Sequence, residues 1–447
     1  MGHAIGIRRE DKSRWERRVP ITPQAVSRLR KEHGLEVYVQ PSPVRVFPEK
    51  EFAAAGAVVQ EDLSPAKVIF AVKEIPPHVF EPGKTYVFFA HVIKGQPYNM
   101  PMLRRLMELG CTLIDYEKVT DERGRRLIFF GWHAGVVAMI DSLWALGQRL
   151  NWEGIPNPFA HIRNTYTYPS LAEARADVRL AGERIRHDGV PEAIAPMIVG
   201  VAGYGNVGRG VMEILSDLPV EDIQPADVAA VAQDPRASRH VVYRVVFKEE
   251  HSVEPVSPEI QFDLQDYYRH PEKYRSCFAR YLPYLTVLMH CNYWDSRYPR
   301  LVTKADIRAL YASGQPRLRV VGDASCDVGG GIEFNVGCTE PDQPVYVYDP
   351  ETDTATLGVA GHGPVVLAVD ILPSELPREA SEYFSEILLP YIPAIARADY
   401  TVPFEELNLP PEIRRAVIVY RGELTPDYRY LRAFLDRAPE SSELKVH

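Results

Sequence analysis

Two kinds of residue in this sequence could carry chemistry. One is a glycine triplet spaced to cradle a dinucleotide; the other is a set of cations and acids that each follow a short apolar run. The triplet is Gly203, Gly205 and Gly208, within GVAGYGNVGRG from Gly200 to Gly210. Its first glycine permits a tight turn, its second lets backbone approach a pyrophosphate, and its third lets helix and strand pack closely. With Tyr204, Asn206 and Val207 between them they make the expected cofactor loop, and the free N–H groups of the next helix face the phosphates. An acid about 20 residues further on should bind the adenosine ribose. Asp227 is the candidate, with Glu221 and Asp222 as alternatives.

The cations fall into four clusters. Arg17 and Arg18 follow the run Ala4 to Ile7, and Lys73 with Glu74 follows Val68 to Val72. HVIKGQ, which holds His91 and Lys94, follows Tyr86 to Ala90; DYE, Asp115 to Glu117, closes the next run, with Arg125 and Arg126 soon after. Arginine forks grip carboxylates at two points, and lysine and histidine placed together depress each other's pKa toward neutrality. Taken singly, each cluster reads as a solvated surface pair or a packed histidine. Four of them after four strands of one sheet converge on one rim, where open α/β sheets bind ligands. Elsewhere VVGDASCDVGGG, Val320 to Gly331, sets Asp323 and Asp327 after a strand but lacks the lysine and hydroxyl of a P-loop. Cys291 has no paired base and reads as structural. The 13 histidines show no metal-ligand spacing, so no metal is expected.

These residues need an α/β scaffold to position them. Met197 to Ala202 reads as a buried strand, and Val207, Val211, Ile214, Leu215 and Leu218 give the following helix one apolar face. Upstream, strands at Ala4–Ile7, Leu35–Val39, Ala57–Gln60, 68–72, 86–90 and Thr112–Asp115 alternate with helices, the first begun by Thr22 and Pro23 and ended by Gly34. The expected fold is therefore two Rossmann-like, doubly wound α/β domains with a cleft between them. The substrate domain takes 1–134 and about 362–447, discontinuous because Val365–Leu372 and Ser381–Leu389 read as helices crossing back. The dinucleotide domain takes about 135–361, opened by an apolar helix from Gly135 to Leu150 that crosses between domains. A charged insertion around 231–281 has no motif of its own.

Totals bound the rest. With 447 residues, 46% hydrophobic and 25% charged, the composition is that of a globular protein of two domains. The formal charge of −9 argues against nucleic acid or an anionic membrane as partner. Five scattered cysteines, no secretory signal and no membrane-length apolar run predict a cytoplasmic protein. A homo-oligomer is compatible with all of this.

Longer stretches narrow the reading. IGIRRED with ERRVPITP, FFAHVIKGQPYNMP, LIDYEKVTDERGRRLIFFGWHAG, GDASCD with GGGIEF, and LAVDILPSELPREASEYF are long and specific. At these stretches the sequence resembles the lysine-ketoglutarate reductases and the lysine-forming saccharopine dehydrogenases, relatives of alanine dehydrogenase and the transhydrogenases. The bifunctional plant and animal enzymes carry a second, saccharopine-cleaving half, for which 447 residues leave no room. The resemblance implies an oxidoreductase of lysine metabolism that joins lysine and 2-oxoglutarate as an imine. It then reduces the imine to saccharopine with NAD(H) or NADP(H), in either direction. It implies acid–base roles for Lys73 and His91, substrate binding by Arg18, Lys94, Glu117 and Arg126, and a place for Asp323 on the nicotinamide side. The stretch FKEEH, Phe247 to His251, is acidic where reductase-type relatives are richer in basic residues, which with Asp227 favours NAD(H). Two other readings stand beside this one: a dehydrogenase of a single small amino acid, and an NAD(H)-binding regulatory subunit without catalysis.

Overall fold

Short runs rich in valine and isoleucine become the strands of two sheets in the computed structural model, which describes residues 3–437 apart from 313 and 315. The chain divides into a unit of Met1–Phe129 with Pro377–His447 and a unit of Phe130–Leu376.

In the first unit, β1 (Ala4–Ile7), β2 (Glu36–Val39), β3 (Val58–Val59), β4 (Val68–Phe70), β5 (Thr85–Phe88) and β6 (Thr112–Asp115) are all parallel. Their order is β3-β2-β1-β4-β5-β6, and Val417–Tyr420 and Glu423–Leu424 extend the sheet antiparallel beyond β6. The direction of winding reverses between β1 and β4, so a crevice opens at the carboxyl ends of those two strands. The helix Pro23–His33 starts and stops on its own sequence. Thr22 Oγ1 accepts the N–H of Ala25 at 3.3 Å, and Gly34 ends the helix with a φ of 64°.

The second unit carries β7 (Ile198–Ala202), β8 (Val220–Asp222), β9 (Val242–Phe247), β10 (Val253–Pro255), β11 (Tyr274–Ser276), β12 (Val287–His290), β13 (Val320–Asp323), β14 (Val345–Asp349), β15 (Thr354–Leu357) and β16 (Val365–Leu367). The main sheet runs β8-β9-β7-β12-β13-β16-β14-β15, parallel as far as β16 and antiparallel beyond. Every residue of β7, β12 and β13 is buried, as helices on both faces require. The helix Asn206–Leu215 follows β7, and the 22-residue helix Gly131–Trp152 crosses it closely. A Cβ on Gly135 would run into the Val207 carbonyl, and one on Gly210 into that of Trp132.

Two parts differ from the sequence reading. The run 365–372 is not helical: its first three residues are β16, paired with β13, and a short 3₁₀ helix, Leu372–Glu375, follows. A run of eight residues, all apolar but Asp370, is too short for periodicity to separate a buried strand from a helix. The long helix begins at Gly131 and belongs wholly to the second unit. The chain therefore divides at 130 and 377, not at 135 and 362. Within the insertion, β10 and β11 form a small antiparallel ribbon, and Phe262, Tyr267, Tyr274 and Tyr298 pack into a cluster of their own. Among the described residues no helix is long and apolar enough to cross a membrane.

Candidate active site

The crevice of the first sheet gathers the predicted cations. Beyond β1 the chain runs through Glu10, Glu16 and Arg18, all buried. Arg18 spends one edge of its guanidinium on Glu16, Nε to Oε1 at 2.7 Å and Nη2 to Oε2 at 2.5 Å. Burial pushes the Glu16 carboxyl up, but the charge and hydrogen bonds of Arg18 outweigh it and hold it below its ordinary value. Arg18 is thus a charge built into the wall of the site, with its Nε edge held by Glu16. Lys73, three residues past the end of β4 and at the first position there that is not buried, has its ammonium pushed down by burial and next by Arg18. Its like-charge neighbours are Arg18 and, more weakly, Lys12, whereas Lys94 is exposed after the β5 turn.

His91 lies just past β5 with a φ of 48°, a left-handed conformation unfavourable for a residue with a Cβ. Asn99 holds that turn by donating from Nδ2 to the carbonyls of Ala90 at 3.0 Å and His91 at 3.1 Å. The ring is aimed by Glu74, whose Oε1 lies 2.8 Å from Nδ1. Lys12 meets the other Glu74 oxygen at 2.8 Å. Burial opposes the charge on Glu74, yet His91 and Lys12 together hold the carboxyl well below its ordinary range. Lys73 and Glu74, adjacent in sequence, thus serve two different groups.

After β6, Asp115 caps the turn of Glu117 by accepting its N–H at 2.9 Å. Burial, then the Glu117 charge, pushes the Asp115 carboxyl up to about 7. The segment RGRRL folds back as a hairpin, with Thr120 bridged to Arg126, and Arg126 Nη1 lies 3.5 Å from Glu117 Oε1. The second Glu117 oxygen is buried and accepts no hydrogen bond among the described residues, which suits it to an ammonium donor.

The second unit builds a dinucleotide cradle around β7. Gly203 turns the chain with a φ of 112°, and a Cβ there would stand 2.9 Å from the Cys291 backbone. A Cβ on Gly208 would collide with the Gly203 carbonyl, so helix and strand need that glycine to close. Gly205 caps the helix, and a Cβ on it would meet nothing within 4 Å. The loop therefore fits a pyrophosphate: the space beside its second glycine is open, as close backbone approach demands.

The acids near the loop stand on different strands. The strand next to β7 is β9, whereas β8 sits at the sheet edge, so Asp227, in a 3₁₀ turn after β8, lies a strand further out. Asp222 is spent on Arg244, at 2.7 and 3.0 Å. Just past β9 stands Glu249, whose Oε2 accepts the hydroxyl of Tyr204 in the glycine loop at 3.1 Å and whose Oε1 accepts that of Tyr268 at 2.7 Å. Sequence spacing misses Glu249 because β8 and the helix Val228–Gln233 intervene. The signal was FKEEH itself, acids directly after a β-branched run.

Asp323 ends β13, paired in register with His290 at the end of β12. It is fully buried, and its carboxylate meets His290 Nδ1 at 2.8 Å, Ser325 Oγ at 2.7 Å and Asn335 Nδ2 at 2.8 Å. Burial alone would raise it, but these donors, His290 foremost, hold it below its ordinary value. His290, Ser325 and Asn335 had no motif to mark them; only the strand register joins them. Among the described residues no group of His, Cys, Asp and Glu is arranged to hold a metal ion.

Known proteins resemble this chain. Residues 6–137 match the family described as alanine dehydrogenase/PNT, N-terminal domain. The chain is 35% identical over 456 residues to alpha-aminoadipic semialdehyde synthase, mitochondrial, of Bos taurus, across 99% of this chain and 49% of that protein. It thus spans about half the length of the bovine protein and of its rat and plant counterparts. With the saccharopine dehydrogenase (NAD(+), L-lysine-forming) of Neurospora crassa it is 30% identical over 396 residues, 86% of this chain and 88% of that one. An L-alanine dehydrogenase structure superposes with a TM-score of 0.60 over 97% of this chain and 99% of its own, at 16% identity, which shows a common fold.

Proposed function

The chain belongs to the family of the lysine-forming saccharopine dehydrogenases, and from that premise we propose that it interconverts lysine plus 2-oxoglutarate with saccharopine. The observation that carries this reading is the pair of titratable groups set at neighbouring strand ends, Lys73 buried beside Arg18 and His91 aimed by Glu74. Joining an amine to a keto carbon needs a base to free the amine and an acid to release water from the carbinolamine. An amine whose charge is disfavoured by burial serves as base, and an imidazole anchored on a carboxylate serves as acid. We assign these roles to Lys73 and His91 in that order in the condensing direction.

Saccharopine carries three carboxylates, and the cations of this rim differ in what they have left to offer. Arg126, half-exposed and 3.5 Å from Glu117, retains donors for a substrate carboxylate. Lys94 is exposed and presents a mobile point charge. Arg18 sets the field at Lys73. Glu117, through its unmatched oxygen, receives a substrate ammonium.

The loop Gly203–Gly208 would hold a nicotinamide dinucleotide, with Tyr204, Asn206 and Val207 supplying backbone around the pyrophosphate. When bound, the reduced cofactor supplies the two electrons that turn imine into secondary amine. Glu249, at the end of the strand beside the loop, would bind a ribose 2′-hydroxyl and repel a 2′-phosphate, so NAD(H) is favoured over NADP(H). Asp323 would face the nicotinamide side through the shell of donors that fixes it.

The test is an assay crossing lysine, ornithine and alanine-forming amines with 2-oxoglutarate and pyruvate, against both reduced cofactors. Turnover with lysine and 2-oxoglutarate is expected to exceed the other pairs. Turnover confined to ammonia and pyruvate would give the reading of a single-amino-acid dehydrogenase instead.

A further inference from the structure

The five cysteines are scattered in sequence, but the fold brings two of them together. Cys326 Sγ lies 3.5 Å from Cys338 Sγ, and both are free thiols. Cys326 follows Asp323 by three residues and is buried; it has a left-handed φ of 51°, and its single S–H is shared between the Cys338 sulfur and the Ala368 carbonyl at 2.9 Å. Cys338 is exposed. Its backbone neighbour Thr339 donates to the same Ala368 carbonyl at 2.8 Å. The two sulfurs therefore close a loop that is pinned at both ends to one point beyond β16. The hydrogen bond from Cys326 holds the Cys338 thiol below its ordinary value, while that contact and burial push Cys326 up. An accessible thiol 3.5 Å from a buried one is the arrangement of an attacking and a resolving cysteine.

We propose that Cys326 and Cys338 are a site of reversible oxidative modification, cross-linked by hydroperoxides and reopened by dithiols. The Cys338 thiolate attacks the peroxide oxygen; an S–O bond forms, the O–O bond breaks, and hydroxide or alkoxide leaves with the electron pair. The Cys326 sulfur then attacks the sulfenic sulfur. The S–S bond forms, the S–O bond breaks, and the hydroxyl leaves as water with the Cys326 proton. Two thiols lose two electrons in total, and the hydroperoxide takes them up as alcohol and water.

The bond has a structural consequence because of what the loop carries. Closing the sulfurs from 3.5 Å to a bonded separation of about 2.05 Å removes the Cys326 proton from Ala368 and draws the two ends of the loop together. Between them lies Asn335, which donates to Asp323 Oδ2 at 2.8 Å and whose carbonyl accepts the Gly329 N–H at 2.7 Å. Oxidation thus acts on the shell that fixes Asp323. This consequence rests on the reading of Asp323 as part of the working site; the cross-link itself does not.

The test treats the full chain with a small excess of hydrogen peroxide, blocks remaining thiols, and digests without reductant at glutamate. Cleavage after Glu333 separates the two cysteines, so their peptides stay joined only by the bond. We expect a joined pair about 2 Da lighter than the sum of its reduced halves. Cys111, Cys277 and Cys291 should remain alkylatable, and the Cys338→Ser variant should give no joined pair. Turnover with lysine and 2-oxoglutarate should fall severalfold in step with the cross-link and return with dithiothreitol. Absence of the joined pair, or Cys338 found instead with two added oxygens, would overturn the proposal. A full cross-link that leaves turnover unchanged in an active chain would overturn its action on the Asp323 shell and leave the cross-link standing. A chain with no lysine-dependent turnover at all would count against the proposed function, and the peptide map would still decide the cross-link.

Discussion

The carboxylate of Glu10 accepts the backbone N–H of Lys73 at 3.0 Å, and through its other oxygen that of Val72 at 2.7 Å. The β4 ladder ends at Phe70, so this clamp carries the course of the strand to the lysine and sets it beside Glu16 and Arg18. A backbone held at this point turns a flexible side chain into a placed one.

Loss of either titrating group should therefore fall on the chemical step. Lys73→Met and His91→Gln are each expected to lower turnover by about 10²-fold or more. Each should also remove one limb of the pH–rate profile, which belongs to the pair. Dinucleotide affinity, read by fluorescence titration, should stay within about twofold, since neither residue is in the glycine loop. Normal rates with an unaltered profile in both variants would return the pair to structural duty.

Stability should fall as the pH rises through the acid-to-neutral range. Burial, then the Glu16 charge, raises the Glu10 carboxyl from 4.5 to about 7, and burial raises Asp115 from 3.8 to about 7. The folded chain holds these protons where the unfolded chain has shed them. The stabilisation is complete below about pH 4 and is lost as the pH climbs to about 7, at a limit of roughly 1.4 kcal/mol per pH unit for each group. Urea unfolding followed from pH 4.5 to 7.5 measures the slope, and Glu10→Gln, which cannot ionise, should flatten it. A wild-type curve that rises across this window would rule the account out.

Gly205→Val should abolish dinucleotide binding while leaving the fold intact. Its Cβ meets no protein atom within 4 Å, so the new side chain occupies only the space the pyrophosphate needs. Retained NADH affinity with an unchanged Tm would remove this loop from the cofactor site.

Glu249→Gln should change which cofactor is used. Losing a charged acceptor for a ribose hydroxyl is expected to weaken NADH about tenfold or more, and NADPH should gain by comparison. Equilibrium titration with both cofactors checks this, with Asp227→Asn as a control that should leave the ratio in place.

Arg126→Lys keeps the charge but loses the planar fork. The KM for the keto acid or amino acid should rise about tenfold to a hundredfold while cofactor affinity holds. Unchanged KM values for every substrate would place Arg126 among solvated surface residues.

The sequence revealed the first sheet better than the partners of its site. Lys73, His91 and Glu117 could be set after strands because each apolar run before them is short, β-branched and ended by charge. That Lys73 would answer to Glu10 and Arg18, and His91 to Glu74, depends on the order β6-β5-β4-β1, which no local pattern encodes. The same limit hides Glu249, which stands past the strand beside the loop, whereas Asp227 follows the edge strand β8. Spacing measures distance along the chain, whereas β9 reaches β7 only after a strand and a helix have been set aside. β16 was missed for another reason: VVLAVDIL has no polar residue at a telling interval until Asp370.

The strand Val417–Tyr420, which pairs with β6, has a consequence for how the protein is made. During synthesis β6 leaves the ribosome with an open edge, and its partner is roughly 300 residues behind. At about 5–20 residues per second that edge stays bare for tens of seconds, while the entire second unit is translated and able to fold. The first unit is begun before the second and completed after it. Its early strands must wait as an incomplete sheet, and it is in that interval that a nascent-chain chaperone would matter most.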